Sequence, residues 1–272
     1  MGGPIFGSKS PESQATSRLA TLAALGLNFT HIIDAGANRG HWTEEASRVW
    51  PSASFLLVEA NPLHRAKLAA TGRPFVITVL GDSMDGNISM WESTDGLKNW
   101  HDTGNSIFRE TTGKPFWGRT VSRNMTTLDA IIERNAARHP MWEASSLPRA
   151  PEGALLLKMD VQGAEKLVLR GSMRHVVPRA GAILAELSVL QYNSGAPLAF
   201  EMHAMLHELG FPLYDIIALH HNTRGLLVQL DGLFLRKDHR MWRTGTGLNL
   251  AVLGHLAGST DPRGRAPPPV SR

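Results

Sequence analysis

Short, mainly apolar runs alternate with helix-like segments over roughly the first third of the chain. The runs lie at residues 30–35, 54–59 and 74–80, and helices are predicted at 42–49 and 64–70. Because these runs do not alternate between apolar and polar positions, they are typical of strands buried on both faces of a sheet. Their β-α-β-α-β order with short links predicts parallel strands joined by right-handed crossovers.

The pattern changes at residues 84–126, which we interpret as an insertion after the third strand. Residues 87–92 and 119–125 alternate in the way that antiparallel strands do. The segment at 96–118 is rich in Gly, Thr, Asn and aromatic residues, and is either a substrate-facing flap or a surface loop. The aromatic side chains of the insertion would line an acceptor pocket or pack on the sheet: Trp91, Trp100, Phe108, Phe116 and Trp117.

The second half of the chain supplies the rest of the predicted sheet. Apolar runs at residues 154–161 and 182–189 predict two further buried strands. An amphipathic helix is expected at 200–209, and strands at 213–219 and 226–236 are expected to form a closing hairpin. The whole pattern indicates an α/β fold with one mostly parallel sheet.

One domain is expected to take up most of the chain. With 272 residues, of which 42% are hydrophobic and 19% charged, the chain can bury a full core. We predict a flexible tail over residues 1–17, a single domain over 18–258 that begins with a helix at 18–25, and a disordered tail over 259–272.

Composition excludes several classes of function. The chain has no cysteine, which rules out disulfides, thiolate metal sites and cysteine nucleophiles. The net charge of +4 comes from scattered basic residues, so nucleic-acid binding is not expected. No segment has the pattern of a membrane span or a signal peptide, so a cytoplasmic protein is expected.

Three predicted strands each end in an acidic residue: Asp34, Glu59 and Asp160. In an open parallel sheet the carboxyl ends of the strands form the ligand crevice. Glu59 follows Asp34 by 25 residues, close to the offset of about 20 residues expected of an acid that binds a ribose. An acid that merely caps a loop would explain any one of these positions, but three in register favour a binding site.

The turn after the first strand differs from a dinucleotide site. It runs Gly36-Ala-Asn38-Arg-Gly40 and lacks the Gly-x-Gly-x-x-Gly spacing, in which the middle glycine lets a pyrophosphate approach. Asn38 offers a polar side chain in that space. A ligand without a diphosphate, such as S-adenosylmethionine, suits this turn better.

Four motifs, in this order along the chain, resemble those of the FkbM family of S-adenosylmethionine-dependent methyltransferases. They are Asp34-Ala-Gly-Ala-Asn-Arg-Gly40, Val58-Glu59-Ala-Asn-Pro62, Thr127-Leu-Asp129 and Lys158-Met-Asp-Val-Gln-Gly-Ala-Glu165. The resemblance covers roughly residues 30–236. It implies the class I (Rossmann-like) methyltransferase fold, a seven-stranded sheet of order 3-2-1-4-5-7-6 with strand 7 antiparallel. It also implies methyl transfer, usually to a hydroxyl of a sugar, polyketide or other small metabolite.

The resemblance also implies roles for individual residues. The turn from Asp34 to Gly40, with Gly36 and Asn38, would hold the methionine part of the cofactor, and Glu59 would accept the ribose hydroxyls. Asp82 and Ser83 would lie near the adenine, and Asp160 beside the sulfonium. The family usually has an acid where this chain has Gln162, which puts any metal or proton chemistry of that acid in doubt.

A hydroxyl is a poor nucleophile, so a base or a metal ion should assist its methylation. Asp160 and Glu186 are the candidate catalytic residues by their strand-end positions, and the sequence assigns no metal ligands although a divalent metal stays open. His220 and His221 are general bases, metal ligands or, as we expect, members of a solvated turn. Two other functions remain as alternatives: a nicotinamide-dependent oxidoreductase and a non-catalytic binding module. The acceptor is expected to be a small molecule or a glycan, and the oligomeric state is left open.

Overall fold

The computed structural model describes residues 11–84, 86–93, 104–111, 117–135, 139–148 and 154–243. Its strands are β1 (His31–Ala35), β2 (Ser54–Glu59), β3 (Phe75–Ile77), β4 (Val79–Leu80), β5 (Gly86–Ser93), β6 (Arg109–Glu110), β7 (Trp117–Thr126), β8 (Leu155–Met159), β9 (Ala180–Ser188), β10 (Asn193–Ser194), β11 (Leu213–His221) and β12 (Leu227–Leu235). Its helices are α1 (Pro11–Ala24), α2 (His41–Val49), α3 (Arg65–Ala70), α4 (Leu128–Asn135), α5 (Glu165–Arg170) and α6 (Ala199–Glu208).

The central sheet has seven strands in the order β11-β12-β9-β8-β1-β2-β3. Counted along the chain, this order is 3-2-1-4-5-7-6. Pairing is parallel from β9 through β3, whereas β12 runs antiparallel to both β9 and β11. The predicted α/β class, the mostly parallel sheet and the closing hairpin are therefore confirmed.

Helices cover both faces of this sheet. Ile33 belongs to a buried cluster that includes side chains of α4, α5 and α6, and Ile32 belongs to a second cluster with side chains of α1, α2 and α3. Neighbouring residues of β1 thus pack into different hydrophobic clusters, one on each face of the sheet. This explains why the strands are apolar on both faces. None of the described helices is both long and apolar enough to cross a bilayer.

The insertion forms a second, small sheet of order β4-β7-β5. Its two long strands, β5 and β7, pair antiparallel as predicted. The third apolar run is split, because the chain leaves the central sheet at Thr78. The Thr78 N–H donates to the Glu59 carbonyl at 2.8 Å, and its Oγ1 donates to the Asn124 carbonyl at 3.1 Å. Thr78 therefore joins the two sheets, and the residues after it follow the insertion.

Helix α1 begins at Pro11, earlier than the predicted start at residue 18. Proline is favoured at a first helical position. Ala15, Leu19 and Leu22 are buried in the core on one side of the helix, and Arg18 pairs with Asp215 at 2.6 Å. The expected tail is therefore wrong from Pro11 to residue 17, because this segment gains tertiary contacts. The rest of that tail and the tail over 259–272 lie outside the described residues.

Candidate functional site

The turn after β1 lies directly against the loop after β8. Gly36 has a φ of 81°, and a Cβ atom there would lie 1.8 Å from the carbonyl oxygen of Asp160. Glycine alone fits so close an approach of two backbones. Asn38 has a left-handed φ of 49°, and Gly40, with a φ of 86°, precedes α2. The predicted turn residues thus shape the turn and seat it on the loop of Asp160.

Asp34 lies beneath this turn and has no solvent exposure. Its Oδ1 is 2.9 Å from Lys158 Nζ, and its Oδ2 accepts a hydrogen bond from Thr43 Oγ1 at 2.6 Å. Asp34 is not among the residues that line the cavity beside the turn, and both of its carboxylate oxygens contact protein groups. The reason is that its strand is buried on both faces, so the carboxylate points inward and needs a buried partner.

Lys158 is the buried cation of the site, and sequence reasoning gave it no role. Its Nζ also donates to the Gly36 carbonyl at 3.1 Å and lies 3.7 Å from Asp160 Oδ2. Burial acts to lower the pKa of Lys158, but Asp34 and Asp160 raise it above its ordinary value, so the ammonium stays charged. The signal in the sequence was a lysine inside an otherwise apolar strand.

Glu59 ends β2 with both carboxylate oxygens fixed by backbone groups. The Asn61 N–H donates to Oε1 and the Asn38 N–H donates to Oε2, each at 2.7 Å. Burial raises the pKa of Glu59 to about 7, although these two hydrogen bonds and the charge of Lys158 act to lower it. A carboxylate has about four acceptor sites, so each oxygen can accept one more hydrogen bond.

A cavity of about 240 Å³ opens between the turn, the strand ends and the insertion. The turn after β1, the end of β2, and the end of β8 with the loop after it supply Gly36 and five polar residues: Asn38, Glu59, Lys158, Asp160 and Gln162. The residues after β3 and the insertion supply four apolar ones: Val79, Leu80, Met90 and Ile107. The cavity therefore combines a carboxylate and other polar groups with apolar side chains. Gly40 does not line it, because Gly40 packs against Leu68 and Thr71 behind the turn.

Asp82 and Ser83 are not among the residues that line this cavity. Since the chain leaves the central sheet at Thr78, the residues at the end of the third strand are Thr78, Val79 and Leu80, and they line the cavity instead. Asp82 lies 3.8 Å from Arg170 in an ion pair. Residues 78–80 thus line the cavity where Asp82 and Ser83 were expected to do so.

Gln162 connects the two candidate catalytic acids. Its Nε2 donates to Asp160 Oδ1 and to Glu186 Oε2, each at 2.8 Å. Gln162 has a φ of 52°, a conformation that costs a residue other than glycine of the order of 1–3 kcal/mol. Its carbonyl accepts hydrogen bonds from Ser106 Oγ at 2.7 Å and Asn193 Nδ2 at 3.1 Å, which hold the backbone in place. Gln162 therefore holds the two acids together through one amide group.

Glu186 is a partly buried carboxyl with a raised pKa. Gln229 Nε2 donates to its Oε2 at 2.6 Å, beside the amide of Gln162. Burial raises the pKa of Glu186 well above its ordinary value, and the charges of Asp160 and Asp231 raise it further. Proton loss from Glu186 is therefore opposed both by burial and by the neighbouring acids.

A second cavity of about 370 Å³ shares Asp160, Lys158, His41 and Trp42 with the first. Glu186, His220 and Asp231 form part of its wall. His220 Nε2 is 3.2 Å from Asp231 Oδ1. The expectation of a solvated turn was wrong for His220, which lies in β11 and is partly buried against β12.

The insertion contributes to the first cavity. Residues 104–107 line it together with Met90 of β5. Phe108 packs against Gly163, and Arg109 stacks on Trp91 with 5.6 Å between the guanidinium carbon and the ring centre. This part of the insertion is therefore a wall of the cavity. Trp100 and Phe116 lie outside the described residues, as does the side chain of Trp117.

Comparison with known proteins gives one family match. The sequence model of the Methyltransferase FkbM domain matches residues 34–213. Among solved structures, the chain is similar to methyltransferase FkbM from Methylobacillus flagellatus KT, at 13% identity and a TM-score of 0.42, covering 75% of this chain and 43% of that one. The chain thus spans less than half the length of that neighbour.

Two further solved structures are similar at the same level. One is a putative O-methyltransferase from Klebsiella pneumoniae, at 12% identity and a TM-score of 0.43, covering 86% of this chain and 83% of that one. The other is the Burkholderia thailandensis 1,6-didemethyltoxoflavin-N1-methyltransferase with bound 1,6-didemethyltoxoflavin and S-adenosylhomocysteine, at 14% identity and a TM-score of 0.37, covering 84% and 79%. No curated protein sequence matches the chain.

Proposed function

Because this chain belongs to the FkbM methyltransferase family, we propose that it transfers the methyl group of S-adenosylmethionine to a hydroxyl of a sugar, a polyketide or another small metabolite. The observation that carries the proposal is that two cavities meet at Asp160. One is suited to the cofactor and the other to an acceptor. Asp160 would then lie beside both the methyl donor and the group that receives the methyl.

The chemistry of the first cavity fits S-adenosylmethionine. The Glu59 carboxylate would accept hydrogen bonds from both ribose hydroxyls, since each of its oxygens has acceptor capacity beyond the backbone N–H that it already binds. The apolar wall at Val79 and Leu80 suits the adenine ring. The turn at Gly36 and Asn38 would hold the methionine part, which places the sulfonium toward Asp160.

The acceptor would bind in the second cavity, with its hydroxyl toward Asp160. When bound, S-adenosylmethionine would supply an electrophilic methyl carbon, and methyl transfer would form the oxygen–carbon bond as the carbon–sulfur bond breaks. Asp160 would take the hydroxyl proton, because it lines both cavities. Gln162 holds Asp160 beside Glu186, because one amide nitrogen donates to both carboxyl groups.

The charge of the second cavity restricts the acceptor. Five acidic residues line it, Glu44, Glu45, Asp160, Glu186 and Asp231, against the basic residues Arg48 and Lys158. A neutral hydroxylated molecule would enter such a cavity more readily than a phosphorylated or carboxylated one. The proposal therefore favours uncharged acceptors.

A labelled-methyl screen tests the proposed function. The full chain is incubated with methyl-labelled S-adenosylmethionine and sets of neutral sugars, polyketides, their phosphorylated analogues and matched amines, and label in each product is measured. We expect transfer to neutral hydroxyl compounds and its loss in Asp160→Asn. Binding of a nicotinamide dinucleotide without binding of S-adenosylhomocysteine would overturn the proposal, and so would transfer to amines alone. Cofactor binding without any transfer would favour a non-catalytic module.

A further inference from the structure

Three side chains from neighbouring strands meet on the wall of the second cavity. Glu186 of β9, His220 of β11 and Asp231 of β12 each present one nitrogen or oxygen atom within 4.8 Å of those of the other two. All three are partly buried, and they line the cavity that we assign to the acceptor. Far apart in sequence, they are brought together by the antiparallel strand β12.

The arrangement of the two acids costs free energy unless a positive charge lies between them. Glu186 and Asp231 are direct partners across the β9–β12 pair, and like charges directly opposite each other in a sheet are destabilising. Lys158, which also lines this cavity, forms its ion pairs with Asp34 at 2.9 Å and Asp160 at 3.7 Å, and its charge acts on Glu186 from farther away. In the described part of the chain Asp231 pairs with His220 at 3.2 Å, and neither acid forms an ion pair with a lysine or arginine.

We propose that Glu186, His220 and Asp231 bind a divalent first-row transition-metal cation such as Mn²⁺, with its remaining positions open to the cavity. One imidazole and two carboxylates form a mixed nitrogen and oxygen ligand set of the kind that such cations accept. Gln162 and Gln229 both donate to Oε2 of Glu186, which orients this carboxylate as hydrogen bonds around metal sites do. The excess of acids in the cavity favours a cation over an anion at this position.

The cation would act on the acceptor. An acceptor hydroxyl that coordinates a divalent cation loses its proton more easily, and Asp160 in the same cavity takes that proton. This role rests on the proposed function, whereas binding of the cation by the three side chains does not. The two can therefore be tested separately.

Electron paramagnetic resonance with Mn²⁺ tests the site on the metal-free full chain. We expect one tightly bound Mn²⁺ per chain with nitrogen hyperfine coupling from an imidazole. In His220→Gln that coupling should vanish, and the dissociation constant of Mn²⁺ should rise at least about tenfold. His41→Gln and Glu44→Gln remove a histidine and an acid from the same cavity wall and should leave both signals unchanged. Absence of binding, or coupling that persists in His220→Gln, would overturn the proposal.

Thermal unfolding of Asp231→Asn distinguishes a cation site from a purely structural pair. Without metal the variant should unfold no lower than the natural protein, because the repulsion from Glu186 is relieved. With Mn²⁺ at a hundred times its dissociation constant, the natural protein should gain roughly 5 °C or more and the variant should not. The site would be refuted if Asp231→Asn unfolds at a lower temperature than the natural protein without metal and is still stabilised by Mn²⁺ to the same extent.

Calorimetry with S-adenosylhomocysteine in the same samples keeps the two proposals apart. Cofactor binding without Mn²⁺ binding contradicts the cation site and leaves the methyl-transfer proposal standing. Mn²⁺ binding lost in both His220→Gln and Asp231→Asn supports the cation site even if no acceptor is methylated.

Discussion

Replacement of Glu59 by glutamine is the most direct perturbation of the proposed cofactor cavity. The natural carboxylate accepts the Asn38 and Asn61 N–H groups, one on each oxygen, and would accept both ribose hydroxyls as well. In Glu59→Gln one oxygen becomes an NH₂ group, which cannot accept from a hydroxyl and faces a backbone N–H. The variant should therefore bind the cofactor through one acceptor atom instead of two.

The size of the effect follows from the bonds that are lost. A hydrogen bond to a charged group contributes about 1.5–3 kcal/mol, so the dissociation constant of S-adenosylhomocysteine should rise about 10- to 100-fold. Alanine is the less informative substitution, because it leaves two buried N–H groups unsatisfied, at about 1–3 kcal/mol each. Glutamine keeps one of the two bonds and the volume of the side chain, so any loss of affinity is easier to assign.

Stability should respond to pH in a defined direction. The pKa of Glu59 is raised from 4.5 to about 7 by burial, so folding favours the protonated carboxyl. Its contribution is complete below the unfolded value near 4.5 and is lost as pH rises through about 7, by about 3 kcal/mol at most. Glu59→Gln should remove this fall, which urea unfolding at pH 5 and pH 8 measures.

Glu165→Gln is the matched control for the measurement of cofactor affinity in Glu59→Gln. Glu165 is also buried, its Oε1 accepts the N–H groups of Val161 and Gly163 at 3.0 and 3.3 Å, and burial raises its pKa to about 7. It does not line the first cavity. Isothermal calorimetry should therefore show a higher dissociation constant of S-adenosylhomocysteine for Glu59→Gln. For Glu165→Gln the constant should stay within about threefold of that of the natural protein. Equal affinities in the two variants would refute the assignment of Glu59 to the ribose.

Three further predictions concern the turn, the buried cation and the base. Gly36→Ala should lower the free energy of unfolding by more than about 2 kcal/mol, because the added Cβ would lie 1.8 Å from the Asp160 carbonyl, and urea unfolding measures the loss. Lys158→Met should cost about 3–5 kcal/mol by leaving the buried Asp34 without its cation, and the added change Asp34→Asn should recover part of that cost in the same assay. Asp160→Asn should lower kcat at least about 100-fold while the S-adenosylhomocysteine dissociation constant stays within about threefold, measured by labelled-methyl transfer and calorimetry.

Much of the fold could be predicted from the sequence because buried parallel strands are apolar along their whole length. β2 has the predicted bounds, and β1 and β9 begin or end within two residues of theirs. The break between β3 and β4 gives no such signal, since Thr78 leaves the central sheet through hydrogen bonds to partners remote in sequence. The early start of α1 was not predicted for a similar reason, because burial against the rest of the domain stabilises its first turns.

The candidate site was predictable only where spacing determines position. Glu59 and Asn38 could be predicted because a strand end and a turn fix where they lie. Gln162 and His220 could not, because their roles depend on which strands pair and in which register. Asp231 faces Glu186 only because β12 inserts antiparallel beside β9, and no local pattern shows that pairing.

The strand-end acids that made the sequence interpretable differ in what surrounds them. Asp34 has no exposure and is neutralised by Lys158, so it serves the fold. Glu59 is 9% exposed and fixed by backbone donors, so it can accept from a ligand without moving. The Asp160 side chain is 36% exposed, lines both cavities and shares an amide donor with Glu186. The exposed fraction rises from Asp34 to Glu59 to Asp160, so Asp160 is the most accessible of the three to a molecule with which it could exchange a proton. Asp160 is therefore the acid best suited to act as a base in the proposed reaction.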